Sequence, residues 1–329
     1  MKSFKRKFKA NALNHCYQNT VGGYLLFYSV SDYLVYFTIF CTCAVRYGVT
    51  VLELCQMPDH IHSGVIASTL EQLRRFIQEV TSFYAREDSI TCQRKGPLFN
   101  APFGSAPKTD LKRIRTFLIY IGNNPVERDL CKTAIQYRWN YLAYGKSTNP
   151  FSEKLVIRRA SWAMKKAVRE IKFWHKRNQH LTYAVLQRLF GALSHREVLQ
   201  LIDFIITTYS VIDYNYSSRF FDGFDNMVEA MKYNTGSEYE IKEQFIEKSD
   251  KCYNKITSWL LKKLNLKDIH DIFSKDNGAR TDLMFELYSE LGIPLTQLAK
   301  YFRIPLLVRK TKNTDNQYNN NIATPWIKG

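Results

Sequence analysis

An α+β fold followed by an all-helical region is what this sequence predicts, and three observations carry the prediction. Short β-rich runs and amphipathic helical runs alternate over the first 130 residues. After about residue 150 the strand signals stop, and helical periodicity rich in Tyr and Phe takes over. The chain has 329 residues, 45% of them hydrophobic, enough for two or three domains with cores of their own.

The elements follow in order. "NALNHCYQ" (11–18) reads as a first strand, followed by a turn at Gly22–Gly23 and the apolar run "YLLFYSV". Ser31 and Asp32 can cap a helix over about 32–47, which Gly48 would end. "VTVLELCQMP" and "HIHSGVIA" are β-rich runs joined at Pro58–Asp59, a hairpin-like connection. A helix resumes near Thr69, with Leu70, Leu73, Phe76, Ile77 and Val80 at helical spacing, and runs to about Arg86. The Gly/Pro-punctuated "RKGPLFNAPFGSAPK" comes next. A third helix is expected from Asp110, striped by Ile114, Phe117, Leu118 and Ile121 and stopped by Pro125. This order suits an antiparallel sheet with helices on one face, and ferredoxin-like topology is the leading candidate.

Beyond "YGKSTNPFSEK" the chain is mostly helical to about Leu264, interrupted at 213–240. "RTDLMFELYSELGIPLTQLAKYFRIPLLVRK" has two short helical patterns around Gly292, the spacing of a helix-turn-helix. Its apolar positions Leu283, Leu287, Leu291, Leu295, Leu298 and Phe302 can form a core, leaving Gln297, Lys300, Arg303, Arg309 and Lys310 to face DNA. The expected division is a domain over 1–148, a helical extension over 149–275, a helix-turn-helix-like unit over 276–311 and a disordered, Asn-rich tail over 312–329.

Net charge is +17 and unevenly spread. Residues 1–150 carry 19 Lys/Arg against 10 Asp/Glu, residues 151–180 carry 9 against 2, and the remainder is nearly neutral. A polyanionic partner follows, nucleic acid rather than membrane. Three groups stand out: an N-terminal arm (Lys2, Lys5, Arg6, Lys7, Lys9), residues Lys108, Lys112, Arg113 and Arg115 at the start of the third helix, and Arg158, Arg159, Lys165, Lys166, Arg169 and Lys172 further on. Phe99, Phe103 and Trp139 could stack on bases or fill the core. The apolar stretch 34–45 is too short to span a bilayer. The basic start of the chain lacks the apolar core of a signal peptide, and the seven cysteines form no paired framework. Cys41 and Cys43 are expected as buried thiols, and the chain as cytoplasmic.

"CQMPDHIHSGVI" (55–66) carries the sharpest chemistry. Residues i and i+2 of a strand share a face, so His60 and His62 leave the sheet together while Ile61 points away. Two imidazoles on one face are half of a divalent-metal site, or equally a pair of hydrogen-bonded histidines. In "FLIYIGNNPVERDL", Tyr120 and Asn124 stand one helical turn apart on a shared face. Pro125 would let the Asn124 amide swing out at the helix end. A phenol and an amide oxygen could complete a site, although Tyr120 is one of 21 tyrosines.

These motifs resemble a known family. "MPDHIH", with "NALNHCYQ" before it and "GPLFNAPFGSAPK" and "YIGNNPVE" after it, is similar to the single-tyrosine HUH transposases, in the branch called REP-associated tyrosine transposases. The resemblance covers residues 11–130. It implies that His60 and His62 bind Mg²⁺ or Mn²⁺, that Asn124 stands at the third-ligand position (Gln in smaller relatives), and that Tyr120 attacks a phosphodiester of single-stranded or hairpin DNA. The implied activity is a metal-dependent endonuclease and strand transferase that works through a 5′-phosphotyrosine, as a monomer or homodimer, without a nucleotide cofactor. Two alternatives stand beside it: a non-catalytic DNA-binding regulator, and a nicking replication initiator.

Overall fold

The structure, a computed structural model, describes residues 7–100, 102–232 and 250–305. Four strands, β1 (Leu13–Asn19), β2 (Thr50–Gln56), β3 (His60–Ile66) and β4 (Gly104–Lys108), form one antiparallel sheet in the order β2-β3-β1-β4. Helix α1 (Val30–Tyr47) links β1 to β2, and α2 (Leu70–Thr91) links β3 to β4. The chain order is therefore βαββαβ, the split βαβ arrangement. Helix α3 (Leu111–Glu127) follows β4.

The helices do not share one face, as the sequence had suggested. Alternation along β1 and β3 sends Cys16, Ile61 and Val65 into a core built with α1 and α2. Leu13 points to the opposite face, where Phe117, Leu118, Tyr120 and Ile121 of α3 cover the sheet. A sheet with apolar side chains on both faces has to be covered twice.

Local signals explain most boundaries. Helix α1 begins before Ser31: Ser29 is the N-cap, and Asp32 at N3 closes a capping box with it. Gly48 ends the helix in the left-handed conformation (φ 61°) that glycine adopts without a Cβ clash. Thr69 and Asp110 cap α2 and α3. Helix α2 runs five residues past Arg86, where no Gly or Pro stops it before Cys92. Helix α3 does not end at Pro125 but continues to Glu127, with Asn124 O accepting from Arg128 N. The proline costs α3 one backbone bond in its last turn, where the helix is about to end.

The helical region comprises α4 (Trp162–Lys176), α5 (Tyr183–Phe190), α6 (His195–Tyr209), α7 (Tyr214–Ser218), α8 (Phe224–Ala230), α9 (Cys252–Lys263), α10 (Asn277–Leu291) and α11 (Leu295–Phe302). The expected interruption at 213–240 contains α7 and α8, and its later part lies outside the described residues. Met164, Ile171, Leu186, Leu201 and Ile205 from α4–α6 join the same core as α1 and α2, so apolar packing is continuous across residue 149. No disulfide forms among the described residues, and Cys41 and Cys43 are buried in α1. No helix among the described residues is long and apolar enough to cross a membrane.

Helices α9–α11 pack as a second core onto Leu25 and Tyr28, just ahead of α1. Three buried ion pairs tie them down: His270–Asp32 (2.9 Å), Arg303–Asp88 (2.7 Å) and Lys300–Asp59 (3.1 Å). This bears on how much of the helix-turn-helix-like unit could face DNA. A recognition helix needs a free polar face, whereas Leu295, Gln297, Leu298, Ala299, Tyr301 and Phe302 of α11 are all buried. Gln297 accepts from the Tyr253 hydroxyl, and Lys300 and Arg303 are spent on carboxylates. Leu291, placed in the core by its spacing, is exposed. Arg309, Lys310, most of the basic arm and the Asn-rich tail lie outside the described residues.

Asp32 accepts from the backbone N–H groups of Tyr28 and Ser29, the Tyr183 hydroxyl (2.5 Å) and His270 Nε2. Burial opposes the charge on His270, but Asp32, helped by Asp268, outweighs it and the imidazole pKa is pushed up to about 10. Because this folded-state value lies above the ordinary 6.5, the stabilisation is complete below about pH 6.5 and is lost as pH rises through 10. Substituting His270→Gln leaves Asp32 buried without its cation. We expect it to cost about 3–5 kcal/mol in urea unfolding at pH 6 and to remove the decline of stability between pH 6.5 and 10.

Candidate functional site

The α3-facing side of the sheet gathers the candidate residues. On β3, His60 and His62 point to this side with ring centroids 4.8 Å apart. The β1–β3 register sets Tyr17 opposite His62 and His15 opposite Gly64. His15, which the sequence reading did not single out, therefore lies on the same side, with its Nε2 3.0 Å from His62 Nδ1. The Tyr120 ring sits edge-on to His62 at 5.9 Å. Asn124 follows one turn later on the same face of α3. His60, His62, Tyr120 and Asn124 are 6, 0, 4 and 1% exposed.

Glycine sets how closely α3 approaches. A Cβ on Gly64 would lie 2.7 Å from Phe117, closer than carbon atoms pack, and one on Gly104 would overlap the Tyr17 ring. The bare backbone at Gly64 lets Phe117 rest on the sheet, where it also meets His15 at 4.7 Å between ring centroids.

Each histidine has its Nδ1 engaged. Asp59 Oδ1 accepts from His60 Nδ1 at 2.6 Å. Burial would raise the Asp59 pKa, but His60, Lys300 and Arg128 hold the carboxyl well below the usual carboxylate range. As a neutral ring with its proton on Nδ1, His60 would present the Nε2 lone pair, as carboxylate-supported histidine ligands do. His62 does the same when its Nδ1–H donates to His15. Asn124 Oδ1 is buried and has no hydrogen-bond partner, although buried amide oxygens are normally satisfied. Two supported imidazoles and one unsatisfied amide oxygen fit a divalent cation. Among the described residues no three His, Cys, Asp or Glu side chains are grouped to hold a metal ion, so a cation here would depend on that oxygen.

The basic residues part company. Lys112, Arg113 and Arg115 are exposed on the first turns of α3; Arg113 pairs with its own N-cap Asp110 (3.2 Å), and Arg115 lies 5.2 Å from the Phe221 ring. Arg158 and Arg159 are exposed in a 3₁₀ turn ahead of α4, Lys165 is half-buried, and Lys166 is exposed beside Trp162. Lys108 is not at the surface. Its register opposite Leu13 puts it under α3, 2% exposed, with Nζ 5.9 Å from the Phe117 ring. Phe99 and Trp139 are core and stacking partners, Trp139 lying flat on Tyr33. Among the described residues, Trp162 and Phe173 of α4 face solvent, 71% and 49% exposed among basic neighbours, as do Tyr288 and Phe285 of α10.

Comparison with known proteins adds little. No protein-family model and no curated protein matches the chain. Among solved structures, a REP-associated tyrosine transposase bound to a REP hairpin is similar over 47% of this chain and 94% of that one, at 13% identity and a TM-score of 0.38.

The approach of α3 can be tested directly. We expect Gly64→Ala to cost about 1–3 kcal/mol in chemical denaturation, because the fully buried Phe117 ring would have to shift to admit the methyl group. The ring-current contact between Tyr120 and His62 should weaken with it, read as a shift of the His62 ring protons by NMR.

Proposed function

We propose that this protein is a metal-dependent endonuclease and strand transferase acting on single-stranded or hairpin DNA, with Tyr120 as its nucleophile. The observation that carries the reading is the convergence of His60, His62, Tyr120 and the unsatisfied Asn124 amide on one side of the sheet. His60 and His62, with Asn124, would hold Mg²⁺ or Mn²⁺, which when bound supplies polarisation of a phosphodiester. The Tyr120 oxygen forms a bond to phosphorus as the bond to the 3′-oxygen breaks. The phenol loses its proton and the departing 3′-oxygen gains one, leaving a 5′-phosphotyrosine and a free 3′-hydroxyl. The phosphodiester energy is retained, so a second 3′-hydroxyl can reverse the step and join new ends.

The four side chains are buried, so DNA reaches them only once a covering element moves. Phe221, Met227 and Met231, in and around α8, pack into the cluster that contains Tyr120 and would be part of such a cover. Exposed Lys112, Arg113, Arg115, Arg158, Arg159 and Lys166 would take the phosphate backbone, and Trp162 and Phe173 offer faces on which bases stack. The same burial favours one other reading, a DNA-binding protein whose histidines serve packing alone.

Incubation with labelled single-stranded DNA and Mn²⁺ separates the two. We expect a covalent protein–DNA adduct that Tyr120→Phe abolishes with DNA binding retained, and that His62→Ala or EDTA also removes. An adduct formed by Tyr120→Phe, or none by the unaltered protein, would sink the enzyme reading. Affinity should also fall steeply with salt, by about 0.7 in the log–log slope for each phosphate neutralised on a single strand. A nearly flat titration would remove the basic side chains from the interface.

A further inference from the structure

One side chain of the C-terminal helices lies two hydrogen bonds from His60. Lys300, in the last turns of α11, extends its Nζ to Asp59 Oδ2 at 3.1 Å. The other oxygen of that carboxylate, Oδ1, holds His60 Nδ1 at 2.6 Å. Lys300 and Asp59 are 241 residues apart in sequence, and both are largely shielded, with 19% and 10% of their side chains exposed.

The backbone fixes this reach. Lys300 O accepts from Leu25 N–H at 3.0 Å, while Pro58 O accepts from the N–H groups of Leu26 and Phe27 at 2.7 and 3.1 Å. The strip 25–27 thus lies between α11 and the β2–β3 turn and is bonded to both. Tyr28 Oη donates to Tyr301 O at 2.8 Å, which holds the next residue of α11 in register as well. A lysine stem placed this way has a short, defined path to Asp59.

A carboxylate held at one oxygen can still turn about its own axis, and an imidazole bonded to it turns too. A second partner on the other oxygen removes that freedom. Arg128 Nη2, at 3.6 Å from the same Oδ2, is farther away and also bonds Asp250. The closer hold on Oδ2 is the lysine.

We propose that Lys300 is a positioning residue: by clamping Asp59 Oδ2 it sets the orientation of the His60 imidazole, so that the C-terminal helical unit helps to build the candidate centre. The proposal rests on the reading of His60 as a ligand. It adds that the ligand's geometry depends on a helix from the far end of the described chain. A docking role alone would need only the α11 backbone and the apolar contacts of Tyr301 and Phe302.

The test uses the full chain with Lys300→Met, Lys300→Gln and Lys300→Arg. In metal-free protein, the His60 ring nitrogens and the Nδ1 proton are followed by NMR, and Mn²⁺ affinity is then measured by calorimetry. Lys300→Met should shift or broaden the His60 ring signals and weaken Mn²⁺ binding about 10–100-fold, as loss of an outer-shell partner does. Lys300→Arg, which keeps the cation, should restore both. If Lys300→Met does not fold, Lys300→Gln is compared with Lys300→Arg in the same way. Unchanged His60 signals in a folded variant that has lost the cation would overturn the proposal, even with a lowered melting temperature. Should the unaltered protein bind no Mn²⁺, the metal reading falls, and the metal-free His60 signals still decide the role of Lys300.

Discussion

Asp32 is the carboxylate on which the three parts of this molecule meet. One oxygen accepts from the backbone at the start of α1 and so closes that helix; the other accepts from Tyr183 at the head of α5 and from His270 ahead of α10. A charge buried this deeply is tolerable only with its partners in place. The sheet, the α4–α6 layer and the C-terminal core are thereby tied to one point, and apolar packing around α1 completes what the charges begin. Asp59 and Asp88 repeat the device nearby, each buried and each paired with a cation of α11 or its last turn.

Much of the βαββαβ part was legible because its signals are local. Alternation put His60 and His62 on one side of β3, and helical spacing put Tyr120 and Asn124 on one side of α3. The caps at Thr69 and Asp110 and the stop at Gly48 were readable residue by residue. Pro125 misled for an equally physical reason. The bias it imposes on Asn124 is a preference of isolated chain, and α3, gripped by packing at Phe117, Leu118 and Ile121, overrides it.

What the sequence could not reveal depends on pairing at a distance. His15 joins the site only through the β1–β3 register, and no pattern within "NALNHCYQ" encodes which residue of β3 it will face. Lys108 looked like a surface cation because lysine usually is one; its burial follows from the β4 register and the position of Phe117. The C-terminal pattern was read correctly as two helices around Gly292, but apolar spacing does not say how many sides of a helix are covered. In α11 nearly all are, and the helix completes a core.

The tie between Asp32 and His270 spans 238 residues of chain, and this bears on how the molecule comes into being. At a synthesis rate of about 5–20 residues per second, the partner of Asp32 follows it by about 12–48 seconds. Through that interval the carboxylates of Asp32, Asp59 and Asp88 have no His270, Lys300 or Arg303 to meet, and the apolar strip around Leu25 and Tyr28 has nothing to lie against. A nascent chain can assemble its sheet and carry both histidines of the β3 pair without yet having the carboxylate clamp behind His60. The C-terminal core and the hold of Lys300 on Asp59 are therefore completed late, although the histidines are made early.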